Sequence, residues 1–251
     1  MKKWFTPLVV VCYMAVAPNW AGGQTVALPE QINTTFEENQ PLVTLDGKRI
    51  YFSRRGDQRN MGDRNNADCW YAEKNSSGEW TDPIHCGMVI NNFEDNALVA
   101  TDFRSSWGLV KDGTDTGRFI ELEINGPKIE RTNQLTWTDS MSNFQVLDVH
   151  LLTERGIGIL SIRNHGSGDT DLYVTVRTAK DTTWSMPIKL KGGINGRQDE
   201  RYPHLAPDGE TLYFSSTSHG GFGGSDIFIS RLDGQDPSVW SSPKNMGRSI
   251  N

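Results

Sequence analysis

The chain has 251 residues, 36% hydrophobic and 22% charged, with 25 glycines and 11 prolines. This turn-rich composition excludes a disordered or collagen-like polymer, and the length suffices to bury a sizeable core. The formal net charge is −6, so the chain lacks the basic footprint that nucleic-acid binding requires.

In chain order, Lys2 and Lys3 precede an apolar run from Pro7 to Ala17. Its charged flank and length predict an export signal rather than a membrane span. Ala21, Gly22 and Gly23 ahead of Gln24 place the signal at 1–23, with a linker at 24–31. Cys12 is a poor lipidation site, because Val11 precedes it and the apolar run continues past it. The expected location is the periplasm or the outer membrane.

From residue 32 the sequence repeats about every 54 positions. A first unit, about 32–91, opens at Ile32-Asn33, turns at Asp46-Gly47, places Asp68 ahead of an aromatic run, and continues through Trp80-x-x-Pro83 to Ile90-Asn91. A second, about 92–142, keeps Trp137 and little else. A third, about 143–195, carries Asp171-Leu172-Tyr173, Trp184-x-x-Pro187 and Ile194-Asn195. The fourth, about 196–251, has short strands at Tyr202 to Ala206, Thr211 to Ser215 and Asp226 to Arg231. They are followed by a segment around Trp240 and a closing Ile250-Asn251. Asp208-Gly209 repeats the first turn, with glycine supplying the positive φ a tight hairpin needs. Four short strands per unit and no helical stretch predict an all-β fold, a β-propeller of about four four-stranded blades. Two arrangements are open at this level: a small closed ring, or an incomplete part of a larger propeller.

Cys69 and Cys86 lie on successive strands joined by the turn Asn75 to Gly78. Reflection about that turn places Cys69 opposite residue 84, and a slight slip brings Cys86 within reach. A disulfide is expected ahead of two buried free thiols; it would close a loop of 17 residues, worth about 3 kcal/mol in the chain-entropy model.

The segments DGKRIYFSRRG, DLYVTV, RYPHLAPDGETLYFSSTSHGGFGGSDIF and WSSPKNMGRSIN resemble the TolB-type, WD-repeat-like propeller repeats of Bacteroidetes cell-envelope proteins. The resemblance covers about residues 32–251, strongly in the fourth unit and weakly in the second. It implies a non-enzymatic propeller that binds other envelope proteins. Longer members carry an OmpA-like domain that has no counterpart here, so peptidoglycan contact is expected only through a partner or a further domain.

Chemistry is weighed against that reading. Asp68, Asp171 and Asp226 recur at one place per unit, as turn-capping carboxylates do. Trp80, Trp137, Trp184 and Trp240 recur likewise and read as packing between blades. A calcium loop over Asp57 to Asp68 is a weaker reading. The loop Gly220 to Gly224 precedes a strand rather than a helix, so it lacks the helix-terminal amides that hold phosphate. There is no HExxH or Gly-x-Ser-x-Gly, and no metal or cofactor is expected. Recognition should fall on loops that differ between blades. The least repetitive are Asp57 to Asn66 and Lys111 to Arg118, with Asp57, Arg59, Asp63, Arg64, Lys111, Asp115 and Arg118, joined by Trp107 and Trp70, which break the repeat. The rival expectation is a carbohydrate-active propeller using Glu94, Glu121 and Glu130 of the second unit.

Overall fold

The computed structural model describes residues 27–251 apart from 45, 63–64, 102–105, 114–117, 126–127, 136, 138–140, 142–143 and 179–182. The signal segment, Asp63, Arg64 and Asp115 therefore lie outside the described residues. Sixteen strands follow in order: β1 (Glu37–Val43), β2 (Arg49–Arg55), β3 (Ala67–Glu73), β4 (Ile84–His85), β5 (Asn96–Thr101), β6 (Trp107–Asp112), β7 (Phe119–Asn125) and β8 (Lys128–Gln134), then β9 (Gln145–Leu152), β10 (Ile157–Arg163), β11 (Thr170–Val176), β12 (Ile188–Lys189), β13 (Glu200–Leu205), β14 (Thr211–Ser216), β15 (Asp226–Arg231) and β16 (Lys244–Asn245). They form four four-stranded meanders, each pairing neighbours in sequence, and no helix occurs among the described residues. The fold class is all-β, a β-propeller of four blades. The second unit, whose sequence pattern is faint, folds into a complete blade like the others.

The chain divides into two compact units, the first holding essentially β1 to β8 and the second β9 to β16. In the first, side-chain alternation feeds two cores from one sheet. On β3, Trp70 and Ala72 join Ile32, Ile50 and Phe52, whereas Cys69 and Tyr71 point the other way, toward Leu98, Val110 and Leu122 of the next blade. In the second, Ile159, Leu172 and Val174 of one blade pack with Leu212, Phe214, Phe228 and Trp240 of the other.

The Ile-Asn step proves to be a built connector. Asn91 accepts from the Cys69 amide at 2.7 Å and donates to the Cys69 carbonyl at 3.1 Å. Asn195 does the same to Leu172, and Asn251 to Ile227. A side-chain amide thus imitates a paired strand where β3, β11 and β15 would otherwise lose a partner. The preceding isoleucine carbonyl is also engaged: Ile32 by Arg54, Ile90 by Arg131 and Ile194 by His219, the last at 2.7 Å. The residue after the asparagine donates its amide to the side chain four positions on, Thr34 to Glu38, Asn92 to Asn96 and Gly196 to Glu200.

Successive blades inside each unit are tied by one further carboxylate. Asp95 accepts from the Ala67 amide at 2.7 Å, and Asp199 from the Thr170 amide at 2.9 Å. The recurrence Ile-Asn-x-x-x-Asp in the sequence carries this signal, at 90–95 and 194–199.

Candidate functional site

The three repeated aspartates sit at the head of the third strand of their blades, fully buried. Asp226 accepts from the amides of Phe222 at 2.5 Å and Gly223 at 3.1 Å, and from Asn245. Asp68 accepts from the Met61 amide at 2.6 Å and meets His85 Nε2 at 2.7 Å. The Gly87 amide donates to His85 Nδ1 at 3.1 Å, which leaves the ring proton on Nε2, aimed at the carboxylate. Asp171 differs: Asn164 and Lys189 Nζ, the latter at 2.6 Å, replace the backbone donors. Desolvation opposes the Lys189 charge, but the hydrogen bond to Asp171 and the negative charge around it together hold the ammonium above its ordinary value. One oxygen each of Asp68 and Asp171 is buried without a described partner. The repeat glycines Gly47 and Gly209 have φ of 68° and 70°, and Asp46 and Asp208 accept from the turn amides of Lys48, Glu210 and Thr211.

The loop from Asp57 to Asn66, expected to be a free recognition loop, is woven into its blade. Asp57 is buried between Arg54 and Arg59. Asn60 donates to the carbonyls of Arg54 and Asn66 and accepts from Trp70 Nε1 at 3.0 Å. Arg54 is itself 1% exposed, donating to Glu38 at 2.8 Å and to the Gln31 carbonyl at 3.0 Å. Arg59 stacks over Trp70, 4.3 Å from its ring centre, and retains an exposed head. Trp70, expected at the surface, is a core residue, because the alternation that points Cys69 toward the next blade points Trp70 into its own. Lys111 is likewise a buried strand residue of β6, Trp107 begins that strand half-buried, and Arg118 lies exposed just before β7. Of the carboxylates in the weaker calcium reading, Asp57 faces Arg54 and Arg59, and one oxygen of Asp68 faces His85.

Cys86 stands directly opposite Cys69, donating its amide to the Cys69 carbonyl at 3.1 Å. The sequence-based estimate of residue 84 misses by two. Lys74 bridges Trp80 but Trp70 pairs with His85, so the chain takes up an extra residue between Trp80 and Ile84. Where a disulfide was expected, the structure holds two free thiols with Sγ atoms 3.4 Å apart. Burial pushes the Cys86 thiol well up, and the adjoining Cys69 adds to this. Among the tryptophans, Trp184 and Trp240 are buried at the blade core, whereas Trp80 and Trp137 are half-buried. Trp240 closes against Gly192 of the neighbouring blade, where the backbones approach too closely for any side chain.

A further grouping lies on β9 and β13, the first strands of the two blades of the second unit. Arg201 donates to Asp148 through Nε at 2.6 Å and through its terminal nitrogen at 3.2 Å. Beside this pair the rings of His150 and His204 stand 4.4 Å apart, inclined at 56°. A β-bulge makes this possible. Arg201 and His204 are three apart but pair with Ser215 and Tyr213, two apart, so both fall on one face. The bulge turns on Tyr202, with φ of 52° ahead of Pro203, and β1 repeats it at Gln40, with φ of 51° ahead of Pro41. Non-glycine residues adopt this region at a cost of about 1 kcal/mol. Of the rival acids, Glu94 lies on the connector before β5, Glu121 on β7 and Glu130 on β8 beside Lys128.

These features define a repeat-built β-propeller. No family model and no curated protein matches the chain. Among solved structures, the GH43 endo-arabinanase of Bacillus licheniformis superposes with a TM-score of 0.52 at 13% identity, over 86% of this chain and 85% of that one. TolB of Acinetobacter baumannii gives 0.49 at 11% identity, over 86% of this chain and 45% of its own. A Bacteroides fragilis protein described as a candidate 6-phosphogluconolactonase gives 0.46 at 11%, over 88% and 58%. The chain thus spans about half the length of the last two, and at these identities the likeness is one of fold alone.

Proposed function

We propose that this is a non-catalytic propeller of the cell envelope, similar in its repeats to the TolB type, that acts as a protein-interaction module in the periplasm or at the outer membrane. The observation carrying this reading is the fate of the repeated carboxylates. Asp68, Asp171 and Asp226 are each buried within their own blade and engaged by that blade's own donors. Glycoside hydrolysis instead requires two carboxylates facing one another across a substrate. The apolar leader and the envelope-type repeats in the sequence point to the compartment. On this reading, the rigid blades position partner-specific surface, with envelope proteins as the partners.

The test joins two measurements. A photoreactive residue at exposed Met88 or Phe93, introduced in cells, is expected to yield a discrete crosslink to an envelope protein identified by mass spectrometry. Purified protein is expected to show no turnover on a panel of aryl glycosides and sugar lactones. Turnover abolished by Glu121→Gln would overturn the proposal in favour of a carbohydrate-active enzyme.

A further inference from the structure

We infer that Cys69 and Cys86 form a dithiol site that closes reversibly to a disulfide within the folded first blade, by exchange with an external disulfide. The scaffold that brings the two residues together recurs. In three blades the residue after the capping aspartate accepts, through its carbonyl, the amide of the residue just past the fourth strand. Cys69 accepts from Cys86 at 3.1 Å, Leu172 from Leu190 at 2.9 Å and Ile227 from Met246 at 3.0 Å. The side chains of Asn91, Asn195 and Asn251 clamp the same three acceptors. The third and fourth blades fill this pair of places with apolar side chains, and the first fills it with two thiols. Their Sγ atoms meet at 3.4 Å. Hydrogen-bonded partners in an antiparallel pair have Cα atoms about 5.5 Å apart, inside the range of about 4.4–6.8 Å that a disulfide spans. Drawing the sulfurs from 3.4 Å to a bonded separation of about 2.0 Å therefore takes side-chain rotation and no change of strand register.

The two sulfurs are unequal. Cys69 has no exposed surface, whereas Cys86 is half-buried, so an oxidant meets Cys86 first. Deprotonated Cys86 Sγ attacks one sulfur of the external disulfide and expels the other as a thiolate, leaving a mixed disulfide. Cys69, having lost its proton, then attacks Cys86 Sγ and expels the second thiolate. Two cysteine thiols are oxidised, one external disulfide is reduced, and the two protons end on the two expelled sulfurs. The consequence is mechanical. Only Ile84 and His85 of β4 pair with β3, and Cys86 leads directly into the connector that carries exposed Met88 and Val89. The new bond fastens that connector to β3, and its reduction releases it. This control goes beyond the proposed interaction role and does not rest on it.

The test uses the full chain carrying Cys12→Ser, in which Cys69 and Cys86 are the remaining thiols. The folded protein is equilibrated with mixtures of oxidised and reduced glutathione, quenched with acid, alkylated in denaturant and weighed intact. The oxidised species is expected to carry neither alkyl groups nor glutathione and to be lighter than the reduced, unalkylated chain by two hydrogens. Dithiothreitol in native buffer should restore both alkylation sites. Oxidation should raise the urea midpoint by about 1 M and slow hydrogen exchange over residues 86–91. Cys69→Ala should trap glutathione on Cys86. Cys86→Met, which installs the residue found at this place in the fourth blade, should leave Cys69 unmodified. If Cys69→Ala fails to fold, Cys69→Val serves in its place. Both thiols retained at the most oxidising ratio, or mixed disulfides and crosslinked chains as the only products, overturns the site. A bridge that resists dithiothreitol overturns its reversibility, and glutathione on Cys69 of the folded Cys86→Met variant overturns the order of attack.

Discussion

Replacing Asn91 with alanine tests the connector most directly. Asn91 is 1% exposed, and its oxygen is the acceptor for the amide of Cys69, a residue with no exposed surface. Alanine leaves that amide buried and unpaired, at a cost of about 1–3 kcal/mol. The Cys69 carbonyl loses the Asn91 donor at 3.1 Å but keeps the Cys86 amide at 3.1 Å, a smaller loss of about 0.5–1 kcal/mol. Asn91→Ala should therefore lower stability by about 1.5–4 kcal/mol, read as a shift in urea midpoint followed by tryptophan fluorescence. Hydrogen exchange at the Cys69 amide should accelerate in step. The control, Asn125→Ala, removes only an exposed bond to Glu123 and should cost less than about 0.5 kcal/mol. A loss below about 0.5 kcal/mol for Asn91→Ala, or unchanged exchange at Cys69, would refute the view that the asparagine substitutes for a missing strand.

Gly192→Ala should prevent folding or cost more than about 3 kcal/mol, because the new methyl overlaps the Trp240 carbonyl. Gly193→Ala meets nothing and should cost only about 1 kcal/mol for its φ of 80°; equal losses by thermal melting would contradict the close approach. Arg54→Met strands Glu38 in the interior, leaving Asp57 with Arg59 alone, and should cost about 3–5 kcal/mol. Arg59→Met, exposed at its head, should cost under about 1 kcal/mol by the same denaturation assay. Because burial and Cys69 raise the Cys86 thiol above its ordinary 9.0, its thiolate is scarce at pH 8. Iodoacetamide should modify it more slowly than free cysteine until the pH passes well above 9, and rapid labelling at pH 8 would count against the protonated pair.

Much of the fold was legible in one dimension because its determinants are local. Asp46-Gly47 and Asp208-Gly209 must turn, Thr211 to Ser215 and Asp226 to Arg231 must extend, and their recurrence states that the blades are equivalent. The same periodicity showed that Asp68, Asp171 and Asp226 belong to the scaffold. What the sequence could not rank was which irregular residues face outward. Asp57 and Trp70 break the repeat, yet both are buried, because a side chain's face depends on strand register and on the neighbouring blade's apolar surface. The period of 54 puts His150 and His204 at matching places in successive blades, but it does not bring their rings together. A one-residue bulge at Tyr202 sets which face His204 takes, and the packing of β13 beside β9 sets what it meets. Sequence alone determined the repeat, the strands and their turns, since these follow from backbone preference and side-chain alternation over a few residues. Tertiary structure alone decided which polar groups pair, because hydrogen bonds and ring contacts act over only a few ångströms and the chain must fold before distant residues come that close.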